Sequence, residues 1–131
     1  MRKRVLIIED EAIVARSLTI LLRRWGYDVA GTADNGFRAI ELAMETLPDL
    51  LLMDVRLDGL MDGLEAAAQI VEQRSVPVVY LTAYANTMVR DHSKMVAPFL
   101  CVTKPFSEDN LQAAIETALR LTVVSGSTAI N

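Results

Sequence analysis

Asp54 stands at the end of an apolar run, Leu50-Leu51-Leu52-Met53, and is followed by a loop rich in Asp and Gly. A run of that length and composition reads as a buried strand. A strand that carries one carboxylate to the rim of a buried sheet has placed a group that reacts or binds. Other competent residues sit in the same kind of place. Glu9 and Asp10 end the run Val5–Ile8, Thr82 ends Pro77–Leu81, and Lys104 follows Phe99–Val102. Three carboxylates that converge repel one another, and a hard divalent cation, Mg²⁺ (or Mn²⁺), is the usual remedy because it takes a few carboxylate oxygens and leaves room for phosphate oxygens. A carboxylate nucleophile beside such a cation, with a hydroxyl and an ammonium opposite, suits phosphoryl transfer onto Asp54.

Convergence requires elements that bring these strand ends together. Arg4 to Glu9 reads as a strand apolar on both faces. A helix follows, with Ile13, Val14, Leu18, Leu21, Leu22 and Trp25 at helical spacing and Gly26 placed to end it. Tyr27 to Ala33 is a weaker, alternating strand suited to a sheet edge. Asn35-Gly36 opens a second helix with Phe37, Ile40, Ala43 and Met44 on one side, and Pro48 marks its end.

After the Asp54 strand, Asp62-Gly63-Leu64-Glu65 has the form of a capping box and predicts a helix to about Gln73. Pro77–Leu81 is the next strand. A shorter helix is expected over Asn86 to Met95, then a strand over Phe99 to Val102. Ser107 caps a last helix with Leu111, Ala114, Ile115, Ala118 and Leu119 inward. Five strand–helix units in strict alternation predict an α/β, doubly wound domain: a five-stranded parallel sheet with helices on both faces. Ligands of such sheets sit beyond the carboxyl ends of the strands, where the residues above collect. The domain is expected over residues 1–122, with 123–131 a tail or the start of a linker.

The motifs Ile7-Ile8-Glu9-Asp10-Glu11, Leu52-Met53-Asp54, Met61-Asp62-Gly63, Tyr80-Leu81-Thr82-Ala83-Tyr84 and Thr103-Lys104-Pro105-Phe106 together resemble the receiver (CheY-like) domains of two-component response regulators. The resemblance covers about residues 4 to 122 in order. It implies a flavodoxin-like (βα)5 fold with strand order 2-1-3-4-5, and a phosphorelay function in which Asp54 is the phosphoacceptor. It further implies that Asp10 is a direct Mg²⁺ ligand, that Glu9 acts on the metal through water, and that the backbone carbonyl of Arg56 completes the protein's share of the shell. Thr82 resembles the hydroxyl that moves to bind the phosphoryl group, and Lys104 its cationic partner, with a cis bond at Lys104-Pro105. The implied donor is a sensor histidine kinase or a histidine phosphotransfer protein; a downstream output partner and a homodimer through the last two units belong to the same picture. Arg56 and Tyr84 stand where such domains tune loss of the phosphoryl group to water. Two positions depart from the pattern: Cys101 replaces the usual aromatic, and the loop after Asp54 lacks the common proline and is one residue longer.

Bulk properties agree with a small globular domain. The chain has 131 residues, 52% of them hydrophobic and 23% charged. A net charge of −4 argues against direct nucleic-acid binding. One cysteine fits a reducing, cytoplasmic setting, and no run approaches membrane-spanning length. Cys101 reads as a small buried packer, His92 as a surface helix residue, Asp58 and Asp62 as loop and cap residues, and the methionines as core filler. An Asp-nucleophile phosphatase of the haloacid dehalogenase type wants a second Asp two residues after the first, where Arg56 stands. A nucleotide or flavin domain wants a Gly-rich loop where Glu9-Asp10-Glu11 would repel phosphate. A receiver-like interaction module that takes no phosphoryl group is the remaining alternative. The domain is expected to be a phosphoacceptor and not a turnover enzyme.

Overall fold

A computed structural model describes residues 2–57, 59–83 and 98–125, with side chains through Leu121. Five strands, β1 (Arg4–Ile8), β2 (Asp28–Ala33), β3 (Leu50–Asp54), β4 (Val78–Thr82) and β5 (Phe99–Thr103), form one sheet. All neighbours are parallel, in the order β2-β1-β3-β4-β5. The described helices are α1 (Ala12–Arg24), α2 (Gly36–Thr46), α3 (Gly63–Gln73) and α4 (Glu108–Ser125). The helix expected over Asn86 to Met95 lies outside the described residues, as do Asp58, Tyr84 and His92.

The uninterrupted apolar strands are explained by burial on both faces. Successive side chains of a strand point to opposite sides. Leu6, Ile8, Leu51, Met53, Val78 and Tyr80 therefore pack under α2 and α3, against Ala39, Leu42, Ala66 and Ile70. Val5, Ile7, Leu50, Leu52, Val79 and Leu81 pack on the other side under α1 and α4, against Leu18, Leu22, Leu111 and Ile115. Every residue of β3, the central strand, and of β4 beside it is buried. β2, with its alternating pattern, is at the edge. The described methionines Met44, Met53 and Met61 all join the core under α2 and α3.

Two residues of the apolar helix patterns lie in solvent, for one reason. Ile13 is 82% exposed and Phe37 is 59% exposed. Each lies in the first turn of its helix, which begins beyond the carboxyl ends of the strands and has no sheet beneath it. Cys101 is exposed as well, since β5 is the last strand of the sheet and not an interior one. α4 continues to Ser125, so it takes in Val123, Val124 and Ser125 of the segment read as a tail or linker.

The helix starts follow the expected chemistry. Asn35 Oδ1 accepts from the Arg38 N–H at 2.9 Å, and Ser107 Oγ accepts from the Asn110 N–H at 3.0 Å. At α3 the capping box is complete: Asp62 Oδ1 accepts from the Glu65 N–H at 2.9 Å and Glu65 Oε1 from the Asp62 N–H at 3.1 Å. Gly26, at φ 92°, makes the left-handed step after α1 that a side chain disfavours. Asp62→Ala should cost about 1 kcal/mol and lower the thermal midpoint by about 4 °C, measured by circular dichroism; an unchanged midpoint would remove the cap from the account.

Candidate functional site

The parallel sheet brings the strand ends to one edge. Asp54 is the last residue of β3 and Thr82 the last of β4, while Glu9 and Asp10 follow β1 and Lys104 follows β5. Register fixes their relative depth: Asp54 pairs with Leu81 across β3–β4, and Thr82 with Thr103 across β4–β5. Backbone bonds extend the ladder past the strands. The Glu9 N–H donates to the Ala33 carbonyl at 2.9 Å, Val55 N–H to Leu81 at 3.1 Å and Lys104 N–H to Thr82 at 2.8 Å. Glu9, Asp54, Thr82 and Lys104 are thus carried by backbone bonded into the sheet, with Asp10 the next residue after it. The Lys104-Pro105 bond is cis, as expected.

Glu9, Asp54 and Thr82 are the buried polar residues of the described chain. Carboxylate oxygens of Glu9, Asp10 and Asp54 lie within 4.8 Å of one another. At an effective dielectric near 20, two unit negative charges at that separation repel by about 3 kcal/mol. One ammonium offsets part of this. Lys104 Nζ is 3.0 Å from Glu9 Oε1 and 3.1 Å from Asp54 Oδ2. Backbone amides take other oxygens: Glu11 N–H donates to Glu9 Oε2 and Arg56 N–H to Asp54 Oδ1, each at 3.1 Å.

The balance leaves Glu9 strained as an anion. Burial pushes its carboxyl up to about 7, against the lowering effect of Lys104 and of the Glu11 amide, and the nearby Asp54 charge adds to the rise. Burial alone would lower the Lys104 ammonium, but its bonds to Glu9 and Asp54 outweigh that and raise it. Lys104 therefore stays charged while Glu9 holds a proton more readily than an exposed glutamate does.

The donor set fits a hard divalent cation. All three residues offer carboxylate oxygen within 4.8 Å of one another, close to the about 4 Å between opposite positions around an ion with bonds of about 2.1 Å. A pocket of about 260 Å³ opens over the group, lined by Asp10, Glu11, Asp54, Arg56, Ala83 and Lys104. It has the size for an ion with a phosphoryl group.

The expected residues thus gather at one sheet edge. Thr82 lies there too, buried and joined to Lys104 through its carbonyl, but it does not line that pocket. Tyr84 lies outside the described residues. Sequence reasoning assigned Glu9 to the metal and missed its direct bond to Lys104. It also missed the Glu11 and Arg56 amides, since backbone donors leave no trace in residue type.

Comparison with known proteins places this site in a family. The model of the response regulator receiver domain matches residues 5–116. The transcriptional regulatory protein PdtaR of Mycobacterium tuberculosis is 39% identical over 117 residues, covering 89% of this chain and 57% of PdtaR. The phyllosphere-induced regulator PhyR of Methylorubrum extorquens is 33% identical over 120 residues, covering 91% of this chain and 44% of that regulator. The chain therefore spans about half the length of these curated relatives. Among solved structures, the signal receiver domain of a modulated diguanylate cyclase from Desulfovibrio desulfuricans G20 superposes with a TM-score of 0.85 at 34% identity, covering 95% of this chain and 99% of that one. Domains of this kind are regulatory and not turnover enzymes. With five parallel strands in the order 2-1-3-4-5 and a family match over residues 5–116, the chain belongs to the response regulator receiver domains of two-component systems.

Proposed function

We propose that the chain is a phosphoacceptor: Asp54 takes a phosphoryl group from a phosphohistidine on a sensor histidine kinase or phosphotransfer protein, and the modified site alters the surface offered to an output partner. The observation that carries this reading is the sharing of one ammonium, Lys104, between Glu9 and Asp54 within a cluster of three carboxylates. Such a cluster is short of positive charge by design of its residues, and a cation together with a phosphoryl group supplies what it lacks.

Asp10, Asp54 and the Arg56 carbonyl are the groups that would hold Mg²⁺ or Mn²⁺, with Glu9 behind them. When bound, the cation supplies charge neutralisation for the carboxylates and for the equatorial phosphoryl oxygens. The chain's own residues do the rest. An Asp54 carboxylate oxygen attacks phosphorus in line, the phosphorus–nitrogen bond to the donor imidazole breaks, and the imidazole nitrogen keeps the electron pair. Asp54 is held for this by the Arg56 amide at Oδ1 and by Lys104 at Oδ2. Lys104 is 3.1 Å from the acceptor carboxylate, so its ammonium can follow the charge onto a phosphoryl oxygen with a small movement. Thr82, at the end of the adjacent strand, is the hydroxyl placed to close on the phosphoryl group and so to transmit its arrival. Two residues after Asp54 stands Arg56, where an Asp-nucleophile phosphatase would place its second Asp, which suits a lasting aspartyl-phosphate better than rapid turnover.

Intact-protein mass after incubation with acetyl phosphate or phosphoramidate tests the reading. A single phosphoryl adduct is expected on the wild type in Mg²⁺, and none on Asp54→Asn; equal labelling of both would move the acceptor elsewhere. Asp10→Ala should lower labelling by two orders of magnitude or more, on the scale of about 10²-fold for a lost positioning group, and flatten its Mg²⁺ dependence. A Mg²⁺ titration identical to wild type would remove Asp10 from the ligand set.

Glu9 gives a pH test with a definite sign. Its folded-state pKa is raised, so the folded chain binds this proton more tightly than the unfolded chain does. The resulting stability is present below the ordinary glutamate value of 4.5 and is lost as pH rises to about 7, an effect of at most about 3 kcal/mol. In metal-free protein, the stability of Glu9→Gln relative to wild type should therefore increase between pH 5 and pH 8 in urea unfolding, and Mg²⁺ should shrink that increase. A difference independent of pH would mean that Glu9 titrates normally.

A further inference from the structure

Two glycines on either side of the loop after Asp54 make contacts that no other residue could make. A Cβ at Gly63 would lie 2.1 Å from the Asp54 carbonyl oxygen, 2.9 Å from Val55 Cα and 3.0 Å from the Asp54 carbonyl carbon, all backbone atoms. The start of α3 thus rests directly on the peptide that carries the acceptor. The Gly63 N–H also donates to the Val55 carbonyl at 2.8 Å. Two residues earlier, Met61 is buried against α2, where a Cβ at Gly36 would lie 2.8 Å from Met61 Sδ, 2.9 Å from Cγ and 3.1 Å from Cβ.

These contacts bear on the geometry of the acceptor. The Arg56 N–H that orients Asp54 Oδ1 belongs to the peptide whose carbonyl, that of Val55, is held by Gly63. The far end of the same loop is held by Met61 on Gly36. We propose that Gly63 and Gly36 are positioning residues for phosphoryl transfer: their close contacts clamp both ends of the loop and so fix the Arg56 peptide against Asp54. The proposal rests on the reading of Asp54 as phosphoacceptor.

A methyl group at Gly63 forces α3 to retreat by about 1 Å or more to reach an ordinary contact, and the Val55 carbonyl loses its partner or follows. A methyl group at Gly36 displaces Met61, whose flexible side chain gives way more easily. Displacements of about 1 Å at a reacting group are associated with rate losses of up to about 10²-fold. Gly36→Ala is expected to be the milder variant and to keep the fold.

The experiment compares wild type, Gly36→Ala, Gly63→Ala and Ile70→Val, the last a core change in α3 that touches neither glycine. Two quantities are read: the rate of acetyl phosphate labelling per folded molecule in saturating Mg²⁺, and the amide chemical shift of Arg56 in metal-free protein. Labelling about 10- to 100-fold slower in both glycine variants, with a displaced Arg56 amide and an unaffected Ile70→Val, is the expected result. Wild-type labelling and an unmoved Arg56 amide in Gly36→Ala would overturn the proposal, and this variant alone decides if Gly63→Ala does not fold. Should the wild type take no label, the phosphoacceptor reading fails, while an Arg56 amide that stays in place in Gly36→Ala still overturns the clamp.

Discussion

The ammonium of Lys104 serves two buried carboxylates at once, 3.0 Å from Glu9 and 3.1 Å from Asp54, with Asp10 beside them. Buried charges of one sign are costly, and one cation cannot satisfy three anions. Burial pushes the Glu9 carboxyl up to about 7, and the neighbouring Asp54 charge adds to the rise. A site built only for stability would replace one of the acids. Keeping all three holds open a place for further positive charge, and makes the pocket responsive to whatever brings it.

The fold pays for that place by distributing rigidity around it. Hydrophobic layers on both faces fix β3 and β4, so Asp54 and Thr82 end strands with no freedom to slide. The ladder continues one residue past the strands, through Glu9 to Ala33, Val55 to Leu81 and Lys104 to Thr82. Beyond it, Gly63 holds the loop, through its N–H on the Val55 carbonyl and its close approach to the Asp54 carbonyl. The first turns of α1 and α2, by contrast, stand clear of the sheet and leave Ile13 and Phe37 in solvent around the acidic edge.

Much of this was legible in residue order. Continuous apolar runs marked the central strands because both faces of a covered parallel sheet are buried, and the alternating β2 marked an edge. Asp62 announced its capping box. Asp54, Glu9, Asp10, Thr82 and Lys104 could be collected because strand ends of such a sheet share one edge. What could not be read depends on contacts between distant segments. Periodicity gives a helix face but not where the sheet beneath it stops, so the exposure of Ile13 and Phe37 is not readable from spacing. Residue type says nothing of a strand's place in the sheet, so neither is the exposure of Cys101 on β5. The choice of Glu9 as a partner of Lys104, 95 residues away, is a matter of rotamers and local charge. Gly63 was visible only as part of a cap motif, whereas its contact with the Asp54 peptide is tertiary.

Carbon-13 resonances of the side-chain carboxylates, followed during a Mg²⁺ titration of metal-free protein, address the charge deficit most directly. One saturable site is predicted, with Asp10 and Asp54 shifting together and the raised Glu9 titration moving back toward that of an ordinary glutamate. Carboxylate signals of Glu9, Asp10 and Asp54 that stay fixed through the titration, with Glu9 titrating as an exposed acid from the start, would contradict the account.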